Sequence, residues 1–531
     1  MDVALPKVIY AQVSPRSRGT SLFDASVFAG ERRITEDTVS QFTSTADAIT
    51  AACSLLMGAG FTLHEMSYAT STLGVSGTPE AFESMFACDL YARELPVLKS
   101  QGQLEPATFV DCRDTREQGL IRTAADTAAG SVIEGVALEQ ARYYMVDAQA
   151  PRKLYWHLRA PEGVAHHCKA ERAHLSGVTG AGIKVAMVDS GHYAHPFFVT
   201  RDYQVRVVLG PGTDRPGDDE YGHGTAESAN LFAIAPDVEL TMVKMNRANT
   251  IGAFNAAVAL NPHIISCSWG SSLEKGPLSA ADHALEAAIA LAVRQGIIVV
   301  CSAGNGHFGF PGQHPDVISA GGAYVDQLGD LHASDYASGF ASRIYAGRKV
   351  PDLAGLVGLR PRGAYIMLPV PPDSTIDREI AGGGAHPDGD ETAPDDGWAA
   401  ISGTSAAAPQ LAGACALIKQ VWPQATPREV KEMLVSTARD VTTGGSNPST
   451  GGRRARRKED LATGTGLVDV DKAVLKAKLR AMRAPVTSMG IRTNMGIRGG
   501  VAEAVSVVDT LTGWGPPVLG VAEARYLEER L

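Results

Sequence analysis

Long apolar segments are missing from this chain of 531 residues. No uninterrupted apolar run reaches the ~18 residues that a transmembrane helix requires, so the sequence predicts no membrane span. Residues 1–7 also lack the basic region and apolar core of a secretory signal. Both observations favour a cytoplasmic protein.

Paired cysteines and an excess of positive charge are missing as well. The seven cysteines are odd in number and scattered, without a Cys-x-x-Cys pair, which is typical of buried thiols in a reducing compartment. The formal net charge of -10 argues against a nucleic-acid-binding protein, whose contact surface would be basic. The 44% of hydrophobic and 20% of charged residues instead indicate a globular chain, long enough for two or more domains.

Three short motifs place a carboxylate, an imidazole and a hydroxyl at the ends of apolar segments. Asp189 follows the apolar run 183–188. His223 stands in Gly-His-Gly-Thr at the start of a small-residue helix, and Ser405 stands in Gly-Thr-Ser-Ala-Ala-Ala-Pro where an apolar helix begins. One such motif alone is usually helix-cap or loop chemistry. Three of them in the order Asp, His, Ser indicate a nucleophilic site.

These residue types are the ones that acyl transfer needs. An alkyl hydroxyl is a poor nucleophile near neutral pH, so Ser405 requires a base to take its proton. His223 suits that task, because an imidazole with an ordinary pKa of about 6.5 accepts a proton and returns it to the leaving amine. Asp189 would hold the imidazole in the required tautomer and stabilise its protonated form.

A fourth residue, Asn305, follows the apolar segment 297–301 in the sequence Ser-Ala-Gly-Asn-Gly. Its amide and the backbone N–H of Ser405 would donate hydrogen bonds to the oxyanion that forms when a carbonyl is attacked. The residues alone leave an alternative open, in which Asn305 is a turn residue between two glycines in the left-handed region.

Together these motifs resemble those of the subtilisin-like serine peptidases, the subtilases. The resemblance covers about residues 170–475 and includes further matching segments in the same order, at 180–186, 266–270, 349–352 and 464–469. It implies a serine endopeptidase that forms an acyl-enzyme intermediate and requires no cofactor.

The resemblance also implies a role for each matching residue. Asp189 would orient the base, His223 would be the general base and Ser405 the nucleophile. Asn305 would donate to the oxyanion, and an extended substrate would pair with the strand that follows residue 267. The implied substrate-binding residues are Ser268, Trp269, Gly270 and Gly304.

The chain departs from the family pattern at three places. Residues 226–230 stand where a second histidine and small residues are usual, and Gln410 stands where a histidine is common. Both changes are expected to alter helix packing or polarity beside the site. Trp269, where leucine is usual, is expected to make one wall of the substrate cleft bulkier.

Beyond about residue 176, short apolar strands alternate with helices. This alternation predicts an α/β fold, a parallel sheet with helices on both faces, whose ligands bind at the carboxyl ends of the strands. The predicted strands are 183–188, 238–245, 263–268, 297–302 and 317–320, and the predicted helices are 224–235, 250–260, 279–295, 405–421 and 427–438. A last strand and helix are expected near residues 467–479.

Residues 1–150 form a separate predicted unit. A helix at 48–59, two strands at 61–68 and 71–75 and a helix at 79–86 give the middle of an α+β ferredoxin-like domain. The segment 73–78 resembles the propeptides of subtilases, which implies an intramolecular inhibitor or chaperone that is cut somewhere between about Tyr143 and His174. The alternative is a permanent recognition domain. The expected divisions are 1–150, 151–480 for the peptidase domain and 481–531 for a C-terminal extension.

Several other features have competing interpretations. The carboxylates within 371–398 suit a structural calcium ion, although a solvated loop is favoured because the spacing is not that of an EF-hand. His192 and His195 are interpreted as loop residues rather than metal ligands. The arginine-rich stretch 442–458 is interpreted as an exposed flexible loop.

The expected partner is a protein or peptide substrate, with no nucleic acid and no membrane. Two alternatives to a general endopeptidase are a non-catalytic peptide-binding module and a dedicated processing protease for one partner.

Overall fold

The computed structural model describes residues 2–64, 71–100, 103–144, 157–359, 365–382 and 389–483. Across these residues no helix is both long enough and apolar enough to cross a membrane. Residues 484–531, which make up nearly all of the expected C-terminal extension, lie outside the described part of the chain.

The N-terminal unit, residues 2–144, consists of antiparallel strands and four α-helices within its described residues. The strands are β1 (Asp2–Val3), β2 (Ile9–Pro15), β3 (Thr62–Leu63), β4 (Leu73–Gly77), β5 (Leu90–Ser100), β6 (Gln103–Cys112), β7 (Leu120–Arg122), β8 (Ile133–Leu138) and β9 (Tyr143–Tyr144). The helices are α1 (Ala25–Phe28), α2 (Ala46–Gly58), α3 (Pro79–Phe86) and α4 (Ala128–Val132).

Four of these strands and two helices form a ferredoxin-like module. They follow one another as β2, α2, β3, β4, α3, β8, and the antiparallel sheet has the order β3-β4-β2-β8 with β7 at its edge. This is the βαββαβ arrangement that the sequence predicted. Thr45 and Thr78 begin the two helices, because each hydroxyl accepts a hydrogen bond from the backbone N–H three residues later.

The first and last strands of this module along the chain, β2 and β8, were not predicted from the sequence. Nearly all of β2 is buried, so its residues do not alternate between apolar and polar. The long β5–β6 hairpin and two further elements separate β8 from α3. Both features hide the usual spacing of the module.

The larger unit begins at residue 157. Its strands are β10 (His157–Arg159), β11 (Lys184–Asp189), β12 (Val205–Leu209), β13 (Glu239–Lys244), β14 (Ile264–Cys267), β15 (Trp269–Ser272), β16 (Ile298–Ser302), β17 (Gly309–Phe310), β18 (Ile318–Val325), β19 (Leu331–Ala333), β20 (Phe340–Ala341), β21 (Lys349–Val350), β22 (Leu353–Leu356), β23 (Tyr365–Pro369) and β24 (Trp398–Ile401). Its helices are α5 (Glu162–His167), α6 (Glu171–Leu175), α7 (Pro196–Val199), α8 (His223–Ile234), α9 (Thr250–Ala259), α10 (Ala280–Arg294), α11 (Thr375–Ile380), α12 (Thr404–Val421), α13 (Pro427–Thr437) and α14 (Val470–Arg483).

Eight of the described strands form the central sheet, in the order β12-β13-β11-β14-β16-β18-β19, with β22 also paired to β18. All neighbours are parallel except β18 and β19. Along β11, Val185 and Met187 pack on the side of α8 and α12, whereas Ala186 and Val188 pack on the side of α9 and α10. The predicted parallel sheet with helices on both faces is therefore confirmed.

Most predicted elements of this unit agree with the structure to within one residue at each end. β18 is longer than predicted and runs on to Val325, where it changes partner from β16 to the antiparallel β19. The strand expected before the last helix is not formed in full, since Leu467 makes only isolated bridges with Ala354 and Arg439.

The arginine-rich stretch is held more firmly than the predicted flexible loop. Asn447 is buried, its backbone N–H donates to the carbonyl of Ala337 over 2.8 Å, and its Nδ2 donates to the carbonyl of Tyr336 over 3.0 Å. These contacts anchor the stretch, while its four arginines remain exposed.

The N-terminal unit docks on α9 and α10 through a buried guanidinium. Arg142 is 1% exposed, its Nη2 lies 2.9 Å from Oδ1 of Asp282, and its Nη1 donates to Oγ1 of Thr250 over 3.0 Å. Glu139 lies beside it, fully buried, and burial raises the pKa of its carboxyl to about 7 despite the charge of Arg142. A buried ion pair of this kind fixes the position of one unit on the other.

Candidate active site

Asp189 ends the central strand β11, at the carboxyl edge of the sheet where ligands bind in this class of fold. The side chain is fully buried. Its Oδ1 accepts hydrogen bonds from the backbone N–H of Ser190 and from Nδ1 of His223, each over 2.7 Å. The carboxylate can therefore fix both the orientation and the tautomer of that imidazole.

His223 is the first residue of α8, and glycines on both sides allow it to stand there. Gly222 has a φ of 94°, and a Cβ on Gly224 would lie 2.2 Å from the carbonyl oxygen of Gly191. The helix start is capped by Asp219, whose carboxylate accepts from the backbone N–H groups of Gly222 and Thr225. The Gly-His-Gly-Thr motif thus delivers the imidazole to the end of β11.

The environment favours the protonated form of His223. Burial by itself lowers the pKa of this imidazole, but the charge and hydrogen bond of Asp189, together with the charges of Glu227 and Asp219, outweigh burial and raise it. Nε2 has no hydrogen-bond partner within the described part of the chain. A base held by a carboxylate at Nδ1 and without a partner at Nε2 can accept a proton there.

Ser405 lies in the first turn of α12, tied to the strand that follows β14. Its Oγ lies 3.3 Å from the carbonyl oxygen of Ser268, and Oγ of Ser268 donates to the carbonyl of Ser405 over 3.0 Å. Only 2% of Ser405 is exposed.

The packing of α12 on α8 brings Ser405 towards His223. Gln410 of α12 lies opposite Asn230 of α8, 3.1 Å apart, and Gly413 lies against Ile234 one turn further on. The two helices therefore run parallel. Counting back from Gln410 and Asn230 by the same number of residues places Ser405, in the first turn of α12, opposite the first turn of α8, which begins at His223.

Asn305 follows β16 and is bound to the start of α12. Its Oδ1 accepts from the backbone N–H of Thr404 over 2.9 Å and from Oγ1 of Thr404 over 3.0 Å. The neighbouring Gly304 donates its N–H to the same Oγ1. Because Oδ1 is committed to Thr404, the NH₂ group of Asn305 is turned the other way, as an oxyanion donor requires.

Residues 269 and 270, predicted to bind substrate, already pair with another segment of the chain. β9 runs antiparallel to β15, with Tyr144 opposite Trp269 and Tyr143 opposite Gly270. On the other side, β15 pairs with β17. The ring of Tyr144 lies 5.0 Å from the ring of His223. The chain thus lays an extended segment of its own beside the imidazole.

The side chain of Trp269 is fully buried, and its Nε1 donates to the carbonyl of Val188 over 2.9 Å. Its indole belongs to the same apolar cluster as Tyr144. The effect of Trp269 on side-chain preference stays a prediction.

The residues considered as metal ligands have other partners. His195 caps α7, because its Nδ1 accepts the N–H of Phe197, and His192 is buried against the ring of Phe198. Asp390 accepts from the backbone N–H groups of Thr392 and Ala400, and Asp396 accepts from that of Trp398. Among the described residues, no three His, Cys, Asp or Glu side chains are grouped to hold a metal ion.

Sequence reasoning missed two parts of the site. One is Tyr144, which only the strand pairing brings to His223. The other is Glu227, a fully buried carboxylate whose Oε1 lies 3.8 Å from Nε2 of His223. The i, i+4 spacing of His223 and Glu227 on a predicted helix was the available signal.

Comparisons with known proteins agree with the motifs. The model of the Subtilase family matches residues 180–452. Subtilisin E of Bacillus subtilis (strain 168) is 27% identical over 304 residues, which are 52% of this chain and 66% of that protein. Subtilisin Savinase of Lederbergia lenta is 28% identical over 297 residues, 52% of this chain and 91% of that protein. The chain thus spans slightly less than two thirds of the length of the first of these relatives.

One solved structure has a similar fold over most of the chain. Fervidolysin from Fervidobacterium pennivorans, described as a keratinolytic enzyme related to subtilisin, superposes with a TM-score of 0.51 at 16% identity. The similarity covers 88% of this chain and 61% of fervidolysin. At that identity it supports the fold alone.

Proposed function

The chain belongs to the subtilase family, and from that premise we propose that it is a serine endopeptidase acting through Asp189, His223 and Ser405. The observation that carries the proposal is the buried 2.7 Å hydrogen bond between Asp189 and Nδ1 of His223, which leaves Nε2 without a hydrogen-bond partner in the described chain. The Ser–His hydrogen bond itself is often long before substrate is bound.

The reaction follows from these groups. Oγ of Ser405 attacks the scissile carbonyl carbon while its proton passes to Nε2 of His223, and Asp189 stabilises the imidazolium. Nδ2 of Asn305 and the N–H of Ser405 donate to the oxyanion. The imidazolium gives its proton to the leaving amine, and an acyl-enzyme remains. Water then attacks the acyl group with His223 again as base, and both the carboxylic acid product and Ser405 are released.

We propose that the substrate is a protein or peptide in extended conformation. β15 would bind it through main-chain hydrogen bonds, with Ser268, Trp269, Gly270 and Gly304 as the predicted binding residues. The antiparallel pairing of β9 with β15 supports this mode of binding. None of these steps requires a cofactor, and a structural calcium ion stays a prediction.

We further propose that residues 1–150 act as an intramolecular inhibitor or chaperone of a peptidase domain at 151–480, with 481–531 as an extension. The pairing of Tyr143 and Tyr144 with the substrate-binding strand supports inhibition, because no substrate can pair there at the same time. The β5–β6 hairpin adds a contact at the loop that carries Asn305, where Nε2 of His307 lies 3.1 Å from the carbonyl oxygen of Leu98. The processing bond would then lie after Tyr144.

A cytoplasmic location also stays a proposal. Its support is that none of the seven cysteines forms a disulfide and that six of them are buried.

A fluorophosphonate probe tests the peptidase proposal. The probe forms a bond with an activated serine, so wild-type protein should be labelled and Ser405→Ala should not. Ser449, an exposed serine at the start of a 3-10 helix far along the chain, provides the control, since Ser449→Ala should be labelled like wild type. If Ser405 stays unlabelled even after residues 1–150 have been removed by proteolysis, the chain is a peptide-binding module instead. A digest of a peptide library then separates a broad endopeptidase from a processing protease for one partner.

A further inference from the structure

A second carboxylate stands beside His223 on its own helix. Glu227 follows it by one helical turn, both side chains are 1% exposed, and Oε1 of Glu227 lies 3.8 Å from Nε2 of His223. That separation is too long for a hydrogen bond, so Nε2 stays available to Ser405. It is short enough for strong electrostatic interaction in a dry environment.

A chain of buried amides holds the Glu227 carboxylate in place. Oε2 accepts from Nδ2 of Asn230 over 3.0 Å, and Oδ1 of Asn230 accepts from Nε2 of Gln410 over 3.1 Å. Gln410 is itself fixed by the backbone of Leu356, which donates its N–H to Oε1 and accepts from Nε2. Oε1 of Glu227 has no hydrogen-bond partner among the described residues. The carboxylate is therefore bound on one side only and open on the side of the imidazole.

We propose that Glu227 is a positioning residue for the general base: the charge of its carboxylate strengthens the basicity of His223 from the Nε2 side, while Asp189 acts from the Nδ1 side. The proposal rests on the peptidase function proposed above. A buried carboxylate without a full set of donors is costly, and a neighbouring imidazolium would offset that cost.

The described residues place several other ionisable groups around the pair. Asp189 on β11 and Asp219 before α8 add negative charge at His223, and Asp189 also acts on Glu227. Tyr144 on β9 and Tyr221 present their rings to His223, and burial raises the pKa of both phenols, so they stay neutral. From α12 the chain of amides presents the uncharged Gln410, and the thiol of Cys168 behind it is neutral because burial raises its pKa to about 12.

Glu227 and His223 should therefore titrate as a pair. Burial raises the pKa of Glu227 to about 7, with the charge of His223 acting in the opposite direction. Protonation of His223 is favoured by the Glu227 anion, so removing that anion lowers the pKa of the imidazole. Because a protonated His223 cannot act as base, the acid limb of kcat/KM must then move to lower pH.

The test is the pH profile of Glu227→Gln. The acid limb should move down by about one pH unit, the size of shift that one nearby charge produces. The plateau of kcat/KM should fall by about tenfold, since the imidazole is a weaker base. Glu227→Asp, which keeps a charge, should restore most of the wild-type acid limb. An acid limb that stays in place in Glu227→Gln while the plateau falls would show a merely structural role.

A matched control lies on α10, where Glu286 is buried beside His283 with Oε2 2.6 Å from Nδ1. Glu286→Gln removes an equivalent buried carboxylate away from the site and should leave the acid limb unchanged. If Glu227→Gln does not fold, Asn230→Ala gives the same direction of shift, because it removes the donor that stabilises the Glu227 anion. An unmoved acid limb in Asn230→Ala would then overturn the proposal.

A measurement without turnover separates this proposal from the peptidase function. Histidine ¹⁵N NMR on full-length Ser405→Ala follows the protonation of His223 directly, whether or not the wild type hydrolyses peptides. The midpoint of His223 should fall by about one pH unit when Glu227→Gln is added. An unchanged midpoint refutes the proposed charge coupling between Glu227 and His223, whether or not the chain is a peptidase.

Discussion

Thr404 fixes the direction in which the Asn305 amide faces. Its backbone N–H and its hydroxyl both donate to Oδ1 of Asn305, and the hydroxyl also accepts from the N–H of Gly304. Thr404→Val keeps the shape but loses both hydroxyl contacts. We expect kcat to fall by about tenfold, the equivalent of ~1.4 kcal/mol, with little change in KM. The reason is that a misdirected amide weakens only the hydrogen bond to the oxyanion, and the oxyanion is absent when substrate first binds.

Asn305→Ala sets the upper limit for this effect, and there we expect kcat to fall by about 10²–10³-fold. Thr404→Ser keeps the hydroxyl and should remain close to wild type. Steady-state kinetics on one peptide substrate decide the matter. A Thr404→Val enzyme with normal kcat and a raised KM would show that the hydroxyl serves substrate binding instead.

The four polar residues of the proposed site could be predicted from the sequence because each stands in a short motif at the end of an apolar segment. Glu227 could be noticed only as a departure from the family pattern and by its i, i+4 spacing from His223, since nothing in its own neighbourhood shows that Asn230 and, behind it, Gln410 of α12 hold its carboxylate. Tyr144 had no local signal at all. Its place beside His223 depends on a strand pairing across more than a hundred residues of chain, which no periodicity records.

One carboxylate joins β18, β22 and α13. Asp352 accepts the N–H of Ser319 over 2.8 Å, pairs with both Nη atoms of Arg348, and lies 3.0 Å from Nζ of Lys431. Burial alone would raise the pKa of this carboxyl, but the charges of Lys431 and Arg348 outweigh burial and hold it at about 2.

Asp352→Asn should lower the free energy of unfolding by up to about 3–5 kcal/mol at pH 7, because it leaves the partly buried Arg348 and Lys431 without their anion. The folded-state pKa lies below the ordinary 3.8, so this stability is present above about pH 4 and is lost as the pH falls towards 2. Urea unfolding at several pH values measures it. Asp373→Asn, in an exposed pair with Arg378, is the control and should change little. A difference from wild type that does not shrink below pH 4 would contradict the ionic origin.

The elements themselves were predictable where one apolar segment makes one strand. The core strands β11, β13, β14 and β16 are such segments, buried on both faces, and their bounds follow from the sequence. β12 and β19 lie at the sheet edges and are mostly not buried, so their pairing depends on the neighbour that the fold supplies. The ferredoxin-like module was recognised by its middle, because its last strand follows a long insertion.

Docking of the N-terminal unit depends on a buried charge. Arg142 pairs with Asp282 across the two units and lies 3.7 Å from Oε2 of Glu139. Arg142→Met keeps much of the packing but leaves Asp282 without its cation, at a cost of about 3–5 kcal/mol. If this unit inhibits the site, the full-length variant should react with a fluorophosphonate at least about tenfold faster than wild type.

The same interface predicts how inhibition depends on pH. The pKa of Glu139 is raised by burial to about 7 from an ordinary 4.5, so its contribution to docking is full below pH 4.5 and is lost as the pH rises through 7. Labelling of full-length wild type should therefore accelerate between pH 6 and 8 by more than labelling of a form freed of residues 1–150.

The control for Arg142→Met is Arg122→Met. Arg122 forms a half-exposed pair with Glu117, so this variant removes an arginine from the same unit without touching the interface and should be labelled like wild type. Equal labelling rates for Arg142→Met and wild type would show that the unit is a recognition domain that does not close the site.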